Sequence, residues 1–263
     1  MDLDIQGNVA LVTASSSGLG KASARALASE GANVAINGRD EGRLENAVKE
    51  LEEVAEGKVI GVQGDLTSGE DIEDLVQTTV DEFGRLDHLV TSSGGPPSGS
   101  FLDMSDDDWY DAFDLLVMSV VRVVRESVPH LRSDGGGTIV NITSRSVKEA
   151  VEALVLSNSV RMSVIGLEKT LSRELAPEIR VNSVLPGTIE TARIQELIEQ
   201  GIERGDYDSY DEGISDWSEG IPRGSIGEPE EFGEVVAFLC SERSSYINGD
   251  AIRIDGGQTR SNL

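Results

Sequence analysis

The chain has 263 residues, enough for one α/β domain with a sizeable core. It carries 22 basic against 48 acidic residues, a formal net charge of −26, and such a surface repels nucleic-acid phosphates and anionic lipid, arguing against nucleic-acid and membrane partners. The lone Cys240 excludes an internal disulfide and follows the apolar run VVAFL, so it reads as buried core rather than as a reactive thiol, and no metal-ligand cluster is expected.

The opening MDLDIQGNVA is acidic and lacks the basic and apolar regions of a secretory or transit segment, which predicts a cytoplasmic protein. Two explanations of the charge compete: a solvated surface suited to a high-salt cytoplasm, or a functional acidic patch. The acids are spread through DEGRLENAVKELEEVAEG, DDDWYD and YDEGISDWSEG rather than gathered in one tail. That favours the first, because at molar salt the Debye length falls to about 3 Å and self-repulsion is screened.

In chain order, seven β-branched runs, NVALVTA, NVAI, KVIGV, HLVTS, GTIVNIT, RVNSVL and AIRI, alternate with stretches of helical periodicity, one after each run but the last. This predicts a doubly wound, Rossmann-type α/β fold, a parallel sheet with helices on both faces, as a single domain over 1–263. The most apolar stretch, LLVMSVV at 115–121, ends at Arg122, well short of the ~20 residues needed to cross a bilayer. A long interruption at about 190–225 carries Tyr207, Tyr210 and Trp217 and predicts a substrate lid, with a mobile surface insertion as the alternative.

Between the first strand and the first helix lies ASSSGLG. Small residues there let backbone approach a diphosphate, while unpaired amides and the helix dipole supply positive potential. In that context the chain resembles the short-chain dehydrogenase/reductase family, whose loop reads T-G-x-x-x-G-x-G. Thr13, Gly18 and Gly20 match, and Ala14 stands at the first glycine, where a Cβ in a left-handed conformation costs ~1–2 kcal/mol and predicts a slightly rearranged loop. Asp65-Leu66, SSGG at 92–95, NITS at 141–144, PGTIET at 186–191 and the ending GDAIRIDGG continue the match along nearly the whole chain. In layout and in its C-terminal half the chain is most similar to the 3-oxoacyl carrier-protein reductases.

The resemblance implies a nicotinamide cofactor held by Thr13, Ser15, Ser17, Gly18, Leu19, Gly20, Arg39, Asp65, Leu66, Ser93, Gly94, Arg161, Pro186, Gly187, Thr188 and Thr191. After the second strand, Gly38 occupies the place of the acid that NAD-preferring relatives use, and Arg39 follows it. A guanidinium binds a 2′-phosphate in bidentate fashion, so NADP(H) is expected over NAD(H).

In this family a tyrosine gives its proton to the carbonyl oxygen and a lysine four residues on, on the same helical face, lowers its pKa and holds the nicotinamide ribose. A serine thirteen positions upstream orients the carbonyl, and an asparagine on an earlier helix supports a proton-relay water. Of these four positions only Ser144 survives: Ser157 replaces the tyrosine, Arg161 the lysine and Leu116 the asparagine. Ser144, Ser157 and Arg161 are the candidate catalytic residues, and an aliphatic hydroxyl is a poor general acid beside a phenol of pKa near 10. Arg145, Lys148, Tyr207 and Tyr210 are weaker candidates for a replacement acid, and His88 and His130 weaker still. Asn141 and Thr143 read as local packing.

The expected function is interconversion of a carbonyl and a secondary alcohol through a divergent proton transfer. The alternatives are a dinucleotide-binding sensor with little turnover and a non-redox enzyme on the same fold. Relatives associate through the helices carrying LLVMSVVRVV and SNSVRMSVIGLEKTL, which implies a homo-oligomer, tetramer or dimer.

Overall fold

The computed structural model describes residues 2–133 and 135–262. Seven parallel strands form one sheet: β1 (Val9–Val12), β2 (Asn33–Gly38), β3 (Val59–Gln63), β4 (His88–Thr91), β5 (Gly137–Ile142), β6 (Ile179–Pro186) and β7 (Ala251–Ile254), in the order β3-β2-β1-β4-β5-β6-β7. All seven β-branched runs are strands, and the predicted doubly wound sheet is the fold. Val9–Val12 is wholly buried because helices cover both faces, so an unbroken apolar run is what a central parallel strand requires.

The helices between strands start where the sequence supplies caps. Asp40 accepts from the Arg43 amide at the head of α2 (Glu41–Glu52), and Ser68 from the Asp71 amide at the head of α3 (Gly69–Phe83), which Gly84 ends in a left-handed conformation. Ser105 and Asp108 form a reciprocal capping box at the start of α4 (Asp106–Phe113). The segment Asp114–Met118 is one π-helical turn leading into α5 (Ser119–Ser133). After β5 come α6 (Val155–Glu174) and, beyond β6, α7 (Ala192–Arg204), α8 (Tyr210–Ser218) and α9 (Pro229–Cys240).

One core packs α1 (Gly18–Ser29), α2 and α9 on one face of the sheet, with Leu27, Ile36, Leu51 and Phe232 fully buried. The other packs α3, α5 and α6 on the opposite face around Leu75, Leu89, Leu116 and Leu131. Cys240 belongs to the first core, and burial pushes its thiol up to about 12, which keeps it unreactive at neutral pH. No helix among the described residues is long and apolar enough to cross a membrane.

The run LLVMSVVRVV spans the π-helical turn and the start of α5. Leu116, Val117, Val120, Val123 and Val124 turn inward and fill the protein's own core. Among the described residues the large apolar side chains left in solvent are Phe101, Leu102, Tyr110, Phe113 and Met162, on α4, the turn before it and α6, together with Tyr246.

Candidate functional site

Parallel strands aim their carboxyl ends at one edge, and the order reverses beside β1, where chain leaves to β2 on one side and β4 on the other. A crevice opens at that switch point. Here it is a cleft of about 550 Å³.

Its floor is the turn from β1 into α1. The Thr13 hydroxyl donates to the Ser92 carbonyl (2.6 Å) and accepts from the Ser92 amide (2.8 Å), tying the end of β1 to the end of β4. Ser15 is fully buried; its hydroxyl donates to the Val12 carbonyl and accepts from the Asn37 amide. Thr13 and Ser15, expected to contact cofactor, therefore brace the loop from behind and do not line the cleft, because their hydroxyls satisfy buried backbone. Asn37 completes the brace: its side-chain oxygen accepts from the Ala14 amide and its amide donates to the Val62 and Gly64 carbonyls. Ala14 has φ +44°, so the strained left-handed conformation expected from its place in the motif is present and the loop closes over it.

Ser17, Gly18, Leu19 and Gly20 line the cleft. Gly18 has φ +58°, and a Cβ on Gly20 would stand 2.6 Å from the Ala14 carbonyl oxygen, so only glycine lets the helix start this close to the strand. Ser17 caps α1 without a side-chain hydrogen bond, and its first turn carries no acid. The opening amides of a helix have no intrahelical acceptor, so they present positive potential, with no side-chain cap or first-turn acid competing for it here. These features fit a diphosphate.

Across β2 the cleft is lined by Gly38, Arg39, Asp40, Arg43, Asp65 and Leu66. An acid cannot replace Gly38 unless neighbours move, since its Cβ would meet the Ser16 hydroxyl at 2.8 Å. Arg39 is three-quarters exposed and its Nη1 lies 3.7 Å from the Asp65 carboxylate. The Thr67 amide, donating to Asp65 Oδ1, holds that carboxyl below its usual range, with Arg39 adding to the effect. Ser16, Asn37, Arg43 and Gly64 were not singled out in the sequence. Asn37 and Gly64 flank legible features, NGR and QGDL, and register with them was the available clue.

Ser93, Gly94, Arg161, Pro186 and Thr191 also line the cleft. Gly187 and Thr188 do not. A Cβ at Gly187 would press on Asp255, and the Thr188 amide and hydroxyl are taken by Gln258, with Thr188 lining a separate, smaller cleft. Leu116 is buried in the core, and its neighbour Leu115 lines the nucleotide cleft instead.

At the end of β5, Ser144 starts a short 3-10 turn and its hydroxyl accepts from the Ser146 amide (3.1 Å). Ser146, missed in the sequence, shares a hydrogen bond of 3.0 Å with the Ser157 hydroxyl, and both are buried. The three serines form one chain of contacts, and neither Ser144 nor Ser157 lines the nucleotide cleft itself. Arg161, one turn further along α6, does. It is only 9 % exposed, and burial lowers its pKa to about 10, still charged at neutral pH.

The other candidate acids are elsewhere or engaged. The Tyr210 hydroxyl donates to Glu190 (2.6 Å), and burial together with that carboxylate pushes its pKa up to about 12. Tyr207 donates to Asp216, which also raises it. Arg145 pairs with Glu149 at 3.9 Å. His88 is buried at the opposite end of the sheet, on β4, between the Asn8 amide and the Thr138 hydroxyl. Asn141 accepts from Thr91, as local packing predicts; Thr143 hydrogen-bonds the Val184 carbonyl and also borders the cleft. No group of three or more His, Cys, Asp or Glu is placed to hold a metal among the described residues.

Residues 13–259 match a family model described as enoyl-(acyl carrier protein) reductase. The chain is 33 % identical over 254 residues to dehydrogenase/reductase SDR family member 4 of Caenorhabditis elegans, covering 96 % of this chain and 95 % of that one. It is 34 % identical to the 3-oxoacyl-[acyl-carrier-protein] reductase FabG of Thermotoga maritima, covering 96 % and 98 %. The crystal structure of L-sorbose reductase from Gluconobacter frateurii, complexed with NADPH and L-sorbose, superposes with a TM-score of 0.95 at 31 % identity, covering 99 % of this chain and all of that one. With the fold, the glycine-floored cleft and matches of this extent, the chain belongs to the short-chain dehydrogenase/reductase family of oxidoreductases.

Proposed function

We propose that the protein reduces a small carbonyl compound, or oxidises the matching secondary alcohol, with NADP(H) held in the switch-point cleft. The observation that carries this reading is the uncapped, acid-free start of α1, which lies so close to the turn before it that Gly20 has no room for a Cβ. Bound nicotinamide supplies a hydride to the carbonyl carbon, whose oxygen gains a proton to give the alcohol. Arg161 steadies oxygen-borne charge at that end of the cleft, and Ser144 and Ser157, linked through Ser146, tie the end of β5 to the helix that carries it. The proton comes from water, since no neutral acid of suitable pKa lines the cleft among the described residues.

Arg39 and Arg43, beside the side-chain-free Gly38, support preference for the 2′-phosphorylated dinucleotide. The NADPH seen in the L-sorbose reductase structure agrees with it. Calorimetric titration with NADPH and NADH tests the assignment: heat with NADPH and at least tenfold weaker binding of NADH supports it, and no heat with either refutes it. A second reading, a dinucleotide-binding protein of low turnover, rests on Ser157, whose hydroxyl is engaged by Ser146. Saturable NADPH binding without consumption across sugars, oxo acids and 3-oxoacyl thioesters would favour it.

The exposed apolar residues of α4 and α6 support association of copies into a dimer or tetramer, and the dispersed acidity supports a cytoplasm of high salt. Sedimentation in molar salt decides the first.

A further inference from the structure

Arg161 is a buried cation with almost nothing to neutralise it. Among the described residues its only hydrogen bond is a long one, 3.4 Å, from Nη2 to the Gly94 carbonyl, and Nε is enclosed with no partner at all. The chain holds 48 acidic residues, yet no described carboxylate pairs with this guanidinium. Burying a charge without a counter-charge is costly and persists where a ligand is to complete the pair. The side chain borders the cleft, and the space beside it is open: a Cβ on Gly94 or Gly95 would meet nothing within 4 Å. Ser157, one turn before it on the same helix face, is short and drawn toward Ser146, which leaves further room.

Cofactor alone does not answer this charge. Ribose hydroxyls are neutral, and the diphosphate is served by the amides of α1 beyond β1, whereas Arg161 stands on α6, beyond β4 and β5. A planar guanidinium fork matches a carboxylate. We propose that Arg161 is the carboxylate clamp of this active site, and that the substrate is a small oxo acid reduced to the corresponding hydroxy acid. The proposal rests on the oxidoreductase reading above and names its substrate class. The carboxylate stays unchanged while the neighbouring carbonyl carbon gains hydride from NADPH and its oxygen gains a proton from water.

Three measurements on the full chain in molar salt test it. Turnover of 2-oxobutanoate is compared with that of its methyl ester, with NADPH as reductant: the acid should exceed the ester by about 100-fold in kcat/KM, and R161Q should bring the ratio to within threefold of unity. R161K, which keeps the charge, should restore part of the preference, a rescue that a merely structural role would not give. Melting is followed with oxamate, an unreducible carboxylate, and with neutral oxamide. Near 100 times its Kd, oxamate should raise the wild-type melting temperature by about 5 °C and leave R161Q unmoved, while oxamide does neither. Equal use of acid and ester, acid preference surviving in R161Q, or no oxamate response in the wild type overturns the clamp. Calorimetry with NADPH reports separately on the dinucleotide reading. If NADPH binds but oxamate does not, the clamp alone fails; if NADPH gives no heat, the dinucleotide reading fails and the oxamate melt without it decides the clamp.

Discussion

Replacing Arg161 with methionine should make the ligand-free protein more stable while disabling its cleft. Arg161 is 9 % exposed, and burial lowers its pKa from 12.5 to about 10. At 1.36 kcal/mol for each pKa step, that is roughly 3 kcal/mol of desolvation cost. The sign follows from protonation: below about pH 10 the group is charged both folded and unfolded, so the penalty is present in full at neutral pH and is relieved only between about 10 and 12.5. Methionine fills much of the same unbranched volume without charge, and the bond it forfeits, 3.4 Å to Gly94, is weak, worth under about 1 kcal/mol. The net gain is about 2 kcal/mol, or roughly 4–8 °C in melting temperature for a chain of this size. Urea titration and calorimetric melting of the ligand-free protein at fixed molar salt measure it, with R161K as a control that keeps the charge and should not gain. An unchanged or lower melting temperature for R161M would mean that the guanidinium is already compensated, and the reasoning would be wrong.

Ala14→Gly should stabilise the fold by about 1 kcal/mol by relieving the left-handed backbone at φ +44°, read as a shift in urea midpoint with unchanged slope. Gly20→Val should weaken NADPH binding at least tenfold in calorimetry, since its Cβ would lie 2.6 Å from the Ala14 carbonyl; unchanged affinity would remove the glycine floor from the argument. His88 is held neutral by burial, against the pull of Asp87, with its pKa lowered from 6.5 to about 4. Its unfolded form binds the extra proton between those values, so stability should fall by up to roughly 3 kcal/mol on acidification from pH 6.5 to 4, and H88N should lose that part of the slope in denaturation curves. With a net charge of −26, the urea midpoint should rise steadily from 50 mM to molar potassium chloride, and a salt-independent midpoint would refute the screening account.

Much was legible before folding. The alternation of β-branched runs with helical stretches identified all seven strands, because a parallel strand buried on both faces has to be apolar throughout and its crossover helix has to follow it. The glycines of the first loop, Arg39 and the pairing of Ser157 with Arg161 one turn apart were equally plain, since each depends on spacing within a single element. What spacing could not show was which side a residue faces. Thr13 matched the motif and Ser15 lay within it, yet both hydroxyls satisfy backbone behind the loop, and Leu116, Val117, Val120, Val123 and Val124 of the apolar run fill the protein's own core. The long interruption held two helices, with Tyr207 between them bound to Asp216 and Tyr210 at the start of the second bound to Glu190, contacts that arise only once the chain has folded back.

Local order alone thus determined the sheet and the place of the glycine loop between β1 and α1. Tertiary structure decided the rest: that Ser146 reaches across to Ser157, that Asn37 ties three backbone segments together, and that Arg161 is buried with no carboxylate beside it. The physical reason is that hydrophobic periodicity and turn chemistry act over a few residues. Desolvation and hydrogen-bond satisfaction depend on what distant segments bring to the same place.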